Sequence, residues 1–282
     1  MKNILIVGAN SYIGTSLENW LAKHPDKYAV NTISIRQECW REKDFSNYDV
    51  VFHVAGIAHI KETKGNADAY YKVNRDLAYE TAKKAKSEGV KQFIFISSMS
   101  VYGIKGGVID SNTPLNPYNH YGKSKLQAEE MIKTLMDDSF LVAILRPPMI
   151  YGKGCKGNYP VLAKVAVNLP IFPDVDNKRS MIYIDNFSEF VKHIIDNYGK
   201  GLYFPQNVEY VNTSKMVKLI ADAHGRKIRL TKIFNPIIRL LGLKFTLISK
   251  VFGDLVYDKS MSKYKGNYHN YDFELSIKET EI

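Results

Sequence analysis

Cysteine is nearly absent from this chain: Cys39 and Cys155 are the only two in 282 residues. Two distant thiols make neither a disulfide framework nor a metal knuckle. No stretch approaches the ~20 consecutive apolar residues that cross a bilayer, so a transmembrane segment is not expected. Met1-Lys2-Asn3 runs straight into the strand-like Ile4-Leu5-Ile6-Val7. That opening is too short for a signal peptide, and a cytoplasmic protein is expected. Acid is scarce relative to base, 29 Asp and Glu against 39 Lys and Arg, for a net charge of +10. The bases never gather into an arm of five or six, so a nucleic-acid partner is not expected. A phosphorylated small molecule or an anionic membrane surface suits the charge better. No G-x-S-x-G elbow occurs, which argues against a hydrolase of that type. Repeats and low-complexity tracts are also absent. Asn212-Thr213-Ser214 has the form of a glycosylation sequon, but with no secretory signal it is read as chance.

Hydrophobic residues make up 45% and charged residues 24%, which excludes bulk disorder and supports a real core. Short apolar runs alternate with helical patterns. Strands are predicted at Lys2–Val7, Ala29–Ile35, Val50–Ala55, Gln92–Ser97 and Leu141–Leu145. Helices are predicted at Tyr12–Lys23, Ala69–Glu88 and Tyr118–Met136. That order predicts an α/β protein with a doubly wound parallel sheet. Beyond Tyr151 the rhythm loosens, and a small, mostly helical C-terminal lobe is expected. The expected division is 1–151 with 181–205 for the sheet domain, and 152–180 with 206–282 for the lobe. Ile233–Val256 is apolar but broken by Arg239, Lys244, Lys250 and Asp254. It reads as a pair of amphipathic core helices, with weak docking on a membrane surface as the sharper alternative.

The first strand leads into Gly8-Ala9-Asn10-Ser11-Tyr12-Ile13-Gly14, which opens the first helix. Such a turn aims backbone N–H groups and a helix dipole at a pyrophosphate. Gly8 allows the tight turn and Gly14 close helix–strand packing, while Ser11 replaces the middle glycine of the usual spacing. An ordinary glycine turn is the plain alternative. The second strand ends in Ile33-Ser34-Ile35-Arg36. NAD-binding domains usually carry an acid there for the ribose hydroxyls, whereas Arg36 suits a 2′-phosphate. NADP(H) is therefore the preferred cofactor, with NAD(H) as the alternative. Val54-Ala55-Gly56, after the third strand, are small enough to let a dinucleotide pass close to the backbone. His53 and His59 have no evident third ligand, and no metal site is expected.

Tyr121-Gly122-Lys123-Ser124-Lys125 places a tyrosine and a lysine one helical turn apart on one face. A cation near a phenol lowers its pKa toward a working range. Upstream, a strand ends in Ser97-Ser98-Met99-Ser100-Val101-Tyr102-Gly103, where a serine can hydrogen-bond a substrate carbonyl or hydroxyl.

In this order the motifs resemble an extended short-chain dehydrogenase/reductase of the nucleotide-sugar epimerase/dehydratase family. The resemblance spans essentially the whole chain and is strongest over residues 1–150. It implies a Rossmann-like fold and an NAD(P)-dependent enzyme with Ser98, Tyr121 and Lys125 as catalytic triad. It implies cofactor contacts from Gly8, Asn10, Ser11, Tyr12, Ile13, Gly14 and Arg36, then Val54, Ala55, Gly56 and Ser97, with Tyr121 and Lys125. Asp44-Phe45 matches the adenine-side pair, Asn74 in Val73-Asn74-Arg75-Asp76-Leu77 the asparagine that braces the site, and Pro147 and Met149 the nicotinamide lining. On the substrate side it implies Ser98, Tyr102, Asn158 and Arg179, the last two at the substrate phosphates. Many epimerases of the family carry Asn where this chain has Met149, which points away from a galactose epimerase. The runs Arg146–Gly152, Gly157-Asn158 and Asn177–Asn186 resemble bacterial reductases of UDP-4-keto-6-deoxy-N-acetylhexosamines. That implies a 4-keto-reductase of a UDP-sugar in capsule or O-antigen synthesis. The alternatives are a UDP-glucose or UDP-N-acetylglucosamine 4-epimerase with bound NAD and, more remotely, a non-catalytic NAD(P)-binding protein. A homodimer is compatible with this reading.

Overall fold

The computed structural model describes every residue except Gln37, His59, Lys61 and Phe245, and the backbone alone at 64, 239, 242–244, 246 and 247. In chain order the elements are β1 (Lys2–Val7), α1 (Tyr12–Leu21), β2 (Tyr28–Ile33), β3 (Val50–His53), α2 (Ala67–Tyr71), α3 (Leu77–Ser87) and β4 (Gln92–Ile96). Then come β5 (Gly107–Ile109), α4 (His120–Lys133), β6 (Leu141–Leu145), β7 (Met149–Tyr151), α5 (Asn158–Asn168), β8 (Ile171–Pro173), β9 (Met181–Tyr183), α6 (Ile184–Asp196) and β10 (Gly201–Tyr203). The chain ends with α7 (Thr213–Ala223), β11 (Arg229–Thr231), α8 (Asn235–Lys244), α9 (Thr246–Phe252), β12 (Leu255–Tyr257) and α10 (Phe273–Glu281). Two compact units form: 1–103 with 114–147 and 187–205, and 104–113 with 148–186 and 206–282.

The first unit holds a six-stranded sheet in the order β10-β6-β4-β3-β1-β2. Every pairing in it is parallel. Its central strands are continuous apolar runs, such as Ile4–Val7 and Phe93–Ile96, buried on both faces as helix-covered parallel strands must be. The register aligns Val7 with Ile33 and His53, His53 with Phe95, and Phe95 with Ile144. The strands therefore end along one edge, and Gly8, Val54–Gly56, Ser97-Ser98 and Arg146-Pro147 follow one another along it. The chain goes from β1 to β2 on one side and to β3 on the other, so β1 and β3 flank the switch point where such sheets take ligands. This is the doubly wound sheet that the alternating runs predict.

Two expectations change. The single helix expected over Ala69–Glu88 is interrupted by a π turn at Lys72–Asp76, which carries the buried Asn74; such turns recur at functional sites. The unit boundary also moves. Residues 104–113, 148–151 and 181–186, expected with the sheet domain, belong to the second unit. There β5 pairs with β12, and β7 with β9. Pro147-Pro148 supplies no N–H groups between β6 and β7, so the main sheet cannot continue through it. Only the segment from Phe187 to Pro205 rejoins the first unit, where Gln92 Nε2 donates to the carbonyls of Ile194 (3.0 Å) and Gly199 (2.8 Å).

The second unit combines three short parallel strand pairs, β7–β9, β8–β11 and β5–β12, with α5 and α7–α10. Tyr151 stacks on Tyr159 with ring centroids 5.7 Å apart. The Tyr151 hydroxyl meets Ser276 Oγ at 2.6 Å and accepts from Asn207 Nδ2 at 3.0 Å. The pair expected over Ile233–Val256 forms α8 and α9 and then β12. Several large apolar side chains at its start face solvent.

Candidate active site

The turn after β1 is shaped by close backbone approach. Gly8 has φ +130°, and a Cβ there would lie 2.7 Å from Ala55 N. A side chain at Gly14 would press within 3.2 Å of both Ile6 and Val54. Ser11 caps α1, its Oγ accepting from Gly14 N–H at 3.1 Å, which is why serine is tolerated in place of the middle glycine. Asn10, exposed, adopts φ +62°. The cap meets one of the four first-turn N–H groups that a helix leaves without internal partners. The positive end of the α1 dipole, which opens at this turn, suits an anion. The turn thus fits the diphosphate of a dinucleotide.

Beside it, Gly56, Asn74 and Lys125 converge. A Cβ at Gly56 would sit 3.0 Å from Asn74 Oδ1 and 3.3 Å from Lys125 Nζ. Asn74 is fully buried. It accepts from Ile57 N–H (2.7 Å) and donates to Ile57 O (3.1 Å) and Ser124 Oγ (3.2 Å). The side chain so ties the loop after β3 to α4. Lys125 Nζ donates to Ile96 O at 2.7 Å and lies 4.7 Å from the Phe95 ring centroid. Burial pushes the Lys125 ammonium down to about 8, while the Glu129 carboxylate works to hold it up.

Ser98 caps the turn Met99–Tyr102, accepting from Ser100 N–H at 3.1 Å. Its hydroxyl is also near enough to the Tyr121 phenol to pull that group's pKa down against burial. The motif order expects these two side chains to act together. The expected lowering of the phenol by Lys125 is corrected. Burial pushes the Tyr121 pKa up, and the opposing pull comes from Ser98, since Lys125 Nζ is turned to the Ile96 carbonyl.

Ser97 and Tyr102 belong to a buried network that sequence reasoning missed. Arg146 makes a bidentate pair with Glu129, Nε to Oε1 at 2.9 Å and Nη2 to Oε2 at 2.6 Å. Its Nη1 donates to the Tyr102 hydroxyl at 2.9 Å, and Ser97 Oγ donates to Glu129. Tyr102, expected as a wall for substrate, is 4% exposed and faces Arg146 instead. The signal for Glu129 was present: Tyr121, Lys125 and Glu129 repeat every four residues on α4. Glu62 had no such signal. Its carboxylate accepts from His120 N–H and Tyr121 N–H, both at 3.0 Å, at the start of α4, where negative charge is stabilising.

The other expected residues are placed as follows. Arg36 lies exposed just past β2. Asp44 turns back on Ser46 N–H (2.8 Å), and the Phe45 ring is fully buried in the core. Pro147 O accepts from Met99 N–H at 3.1 Å. Met149, Asn158 and Arg179 fall in the second unit: Met149 opposite Met181, Asn158 exposed at the start of α5, and Arg179 donating to Gly253 O at 3.0 Å. His53 is fully buried, and burial pushes its imidazole down to about 3. The other histidine weighed as a metal ligand, His59, lies outside the described residues.

A glycine turn at the switch point of a parallel sheet, with Ser98, Tyr121 and Lys125 on the same edge, defines a dinucleotide-dependent oxidoreductase-type site. Comparison with known proteins agrees. The NAD dependent epimerase/dehydratase family matches residues 4–204. The N-acetyl-alpha-D-glucosaminyl-diphospho-ditrans,octacis-undecaprenol 4-epimerase of Escherichia coli O157:H7 is 29% identical, over 89% of this chain and 81% of its own. The UDP-glucose 4-epimerase of Vibrio cholerae is 30% identical, over 79% and 76%. The UDP-glucuronic acid 4-epimerase of Bacillus cereus, solved in complex with NAD, superimposes with a TM-score of 0.74 at 18% identity, over 99% of this chain and 95% of its own; that likeness speaks for the fold. The chain belongs to the NAD dependent epimerase/dehydratase family, and so is an NAD(P)-dependent enzyme.

Proposed function

We propose that this protein is a 4-epimerase of a diphosphate-linked hexose or N-acetylhexosamine, working in surface polysaccharide synthesis. What supports this is the nearness of Ser98 to Tyr121, with Lys125 one turn further along α4, in a chain two of whose extensive curated relatives are named as 4-epimerases. The sugar carrier in those two names is a nucleotide in one and undecaprenyl diphosphate in the other.

Gly8–Gly14 would hold the cofactor diphosphate, and Lys125 and Asn74 would shape the pocket beside it. When bound, the nicotinamide supplies reversible hydride acceptance. Tyr121 Oη, in its phenolate form, takes the proton of the sugar C4 hydroxyl as that carbon is oxidised, and returns it to the same oxygen when the opposite face is reduced. Ser98 Oγ holds that oxygen in line. Negative charge develops on it in each transfer, so donors preset at that atom matter more than general affinity. Asn158 and Arg179 are the candidates for the sugar-linked diphosphate.

A second reading, 4-keto-reduction of a UDP-6-deoxy-N-acetylhexosamine with NADPH, is favoured by Arg36 at the end of β2 and by Met149 in place of asparagine. The two readings part in one assay. An epimerase interconverts C4 epimers of UDP-glucose or UDP-N-acetylglucosamine with no net change in nicotinamide absorbance. A reductase consumes NADPH stoichiometrically with a 4-keto sugar nucleotide.

A further inference from the structure

Four large apolar side chains cluster where β11 passes into α8: Ile233, Phe234, Ile237 and Leu240 are 80%, 42%, 58% and 61% exposed. Ile237 and Leu240 are one turn apart and share a helix face, and Pro236 just before them is exposed too. Scattered apolar residues on a surface are ordinary, but a contiguous group marks an interaction site. Along the chain its charge is one-sided, although Asp174, Asp176 and Asp254 approach Lys232 from other segments. From 223 to 253 the chain carries seven Lys or Arg and no Asp or Glu. Arg226, Lys227, Arg229, Lys232 and Lys250 are exposed. Among the described residues none of these five joins an ion pair.

We propose that this face docks the protein on an anionic lipid bilayer, with Ile233, Phe234, Ile237 and Leu240 entering the headgroup boundary and the flanking bases meeting lipid phosphates. Apolar anchors beside clustered bases are the recognised pattern of interfacial segments. No helix of the described residues is long and apolar enough to cross a membrane, so the segment lies on the surface. A second copy of this chain is the poorer occupant. Two acid-free basic segments would face each other, and like charges across an interface are costly. Docking would bring the enzyme to substrates carried on lipid, but it rests on the patch alone and not on the epimerase reading.

The test is co-sedimentation of the full-length chain with phosphatidylcholine vesicles, with and without phosphatidylglycerol. Asp174, Asp176 and Asp254 share a hollow with Lys232, so the charge variant is Arg226→Glu with Lys227→Glu. The apolar variant is Ile237→Ser with Leu240→Ser. The expected result is binding to phosphatidylglycerol vesicles that falls at least about tenfold in the apolar variant. The charge variant should fall several-fold, an effect that disappears in high salt. Turnover of soluble UDP-sugar should be unchanged in both variants, which separates this proposal from the catalytic one. The idea is overturned if the parent chain does not sediment. It is equally overturned if the apolar variant binds as well as the parent, or if that variant only converts a dimer to monomer in light scattering. Should the apolar variant fail to fold, the charge variant decides alone.

Discussion

A tyrosine held protonated and a lysine poised to lose its charge divide the proton work of this site. Burial raises the Tyr121 phenol above its ordinary value, so at neutral pH it rests protonated and must lose that proton before it can accept the one from the C4 hydroxyl. Removing such a group typically costs 10²–10⁴-fold, and Tyr121→Phe should lose at least about a hundredfold in kcat while still binding cofactor. A variant that keeps most of its rate would displace Tyr121 from that role. Tyr102 would be a poor replacement, because its hydroxyl already accepts from Arg146. Lys125 gives a pH dependence. Its pKa is lowered by burial to about 8, so the folded protein loses that charge on passing pH 8, whereas an unfolded chain keeps it to about 10.5. Between those values the unfolded state binds more protons, and this lysine's contribution to stability rises with pH. Cofactor affinity should move the other way, weakening as pH passes about 8 if the ammonium anchors the cofactor. Titrations of cofactor binding from neutral to alkaline pH check this, and Lys125→Met should flatten the profile.

Elements rather than single residues decide what the sequence could reveal. The Gly8–Gly14 turn, the strand ends and the Tyr121–Lys125 pair were legible because each depends on local spacing. The Ser97–Glu129–Arg146–Tyr102 network was not, because it joins α4, the end of β6 and the turn after β4 through side chains far apart in sequence. Glu62 escaped for the same reason, reaching α4 from a loop fifty-eight residues earlier. The π turn at Lys72–Asp76 also left no periodic trace, since one extra residue barely disturbs a helical pattern. The buried network carries its own expectation. Breaking one side of a buried ion pair costs about 3–5 kcal/mol by stranding the other charge. Arg146→Met should therefore lower the denaturant midpoint of the first unit sharply. The double variant Arg146→Met with Glu129→Leu should recover much of the loss. A single variant as stable as the parent would show that the pair contributes little.

At the scale of the whole molecule, the alternating runs were enough to foretell the parallel sheet, but not the boundary between units. That boundary is set by pairings such as β5 with β12, which link residues 107–109 to 255–257. No local pattern signals them. The same distance effect bears on Arg179. Its guanidinium donates to Gly253 O, and its backbone bridges Val211 and Leu255, so it braces the second unit whatever else it does. If it also holds the sugar-linked diphosphate, Arg179→Ala should raise KM more than it lowers kcat, the mark of lost ground-state binding. An unchanged KM in a folded variant would leave it as a brace alone.

The central claim is that Ser98, Tyr121 and Lys125 serve a redox-neutral inversion at carbon 4. The most direct test incubates the purified protein and catalytic NAD with UDP-N-acetylglucosamine or UDP-glucose, following the carbon-4 configuration by proton NMR and the nicotinamide band by absorbance. The account predicts an equilibrium mixture of the two C4 epimers with no net absorbance change, and loss of that interconversion in Tyr121→Phe. No interconversion, together with stoichiometric NADPH consumption on a 4-keto sugar nucleotide, would contradict it and establish a reductase.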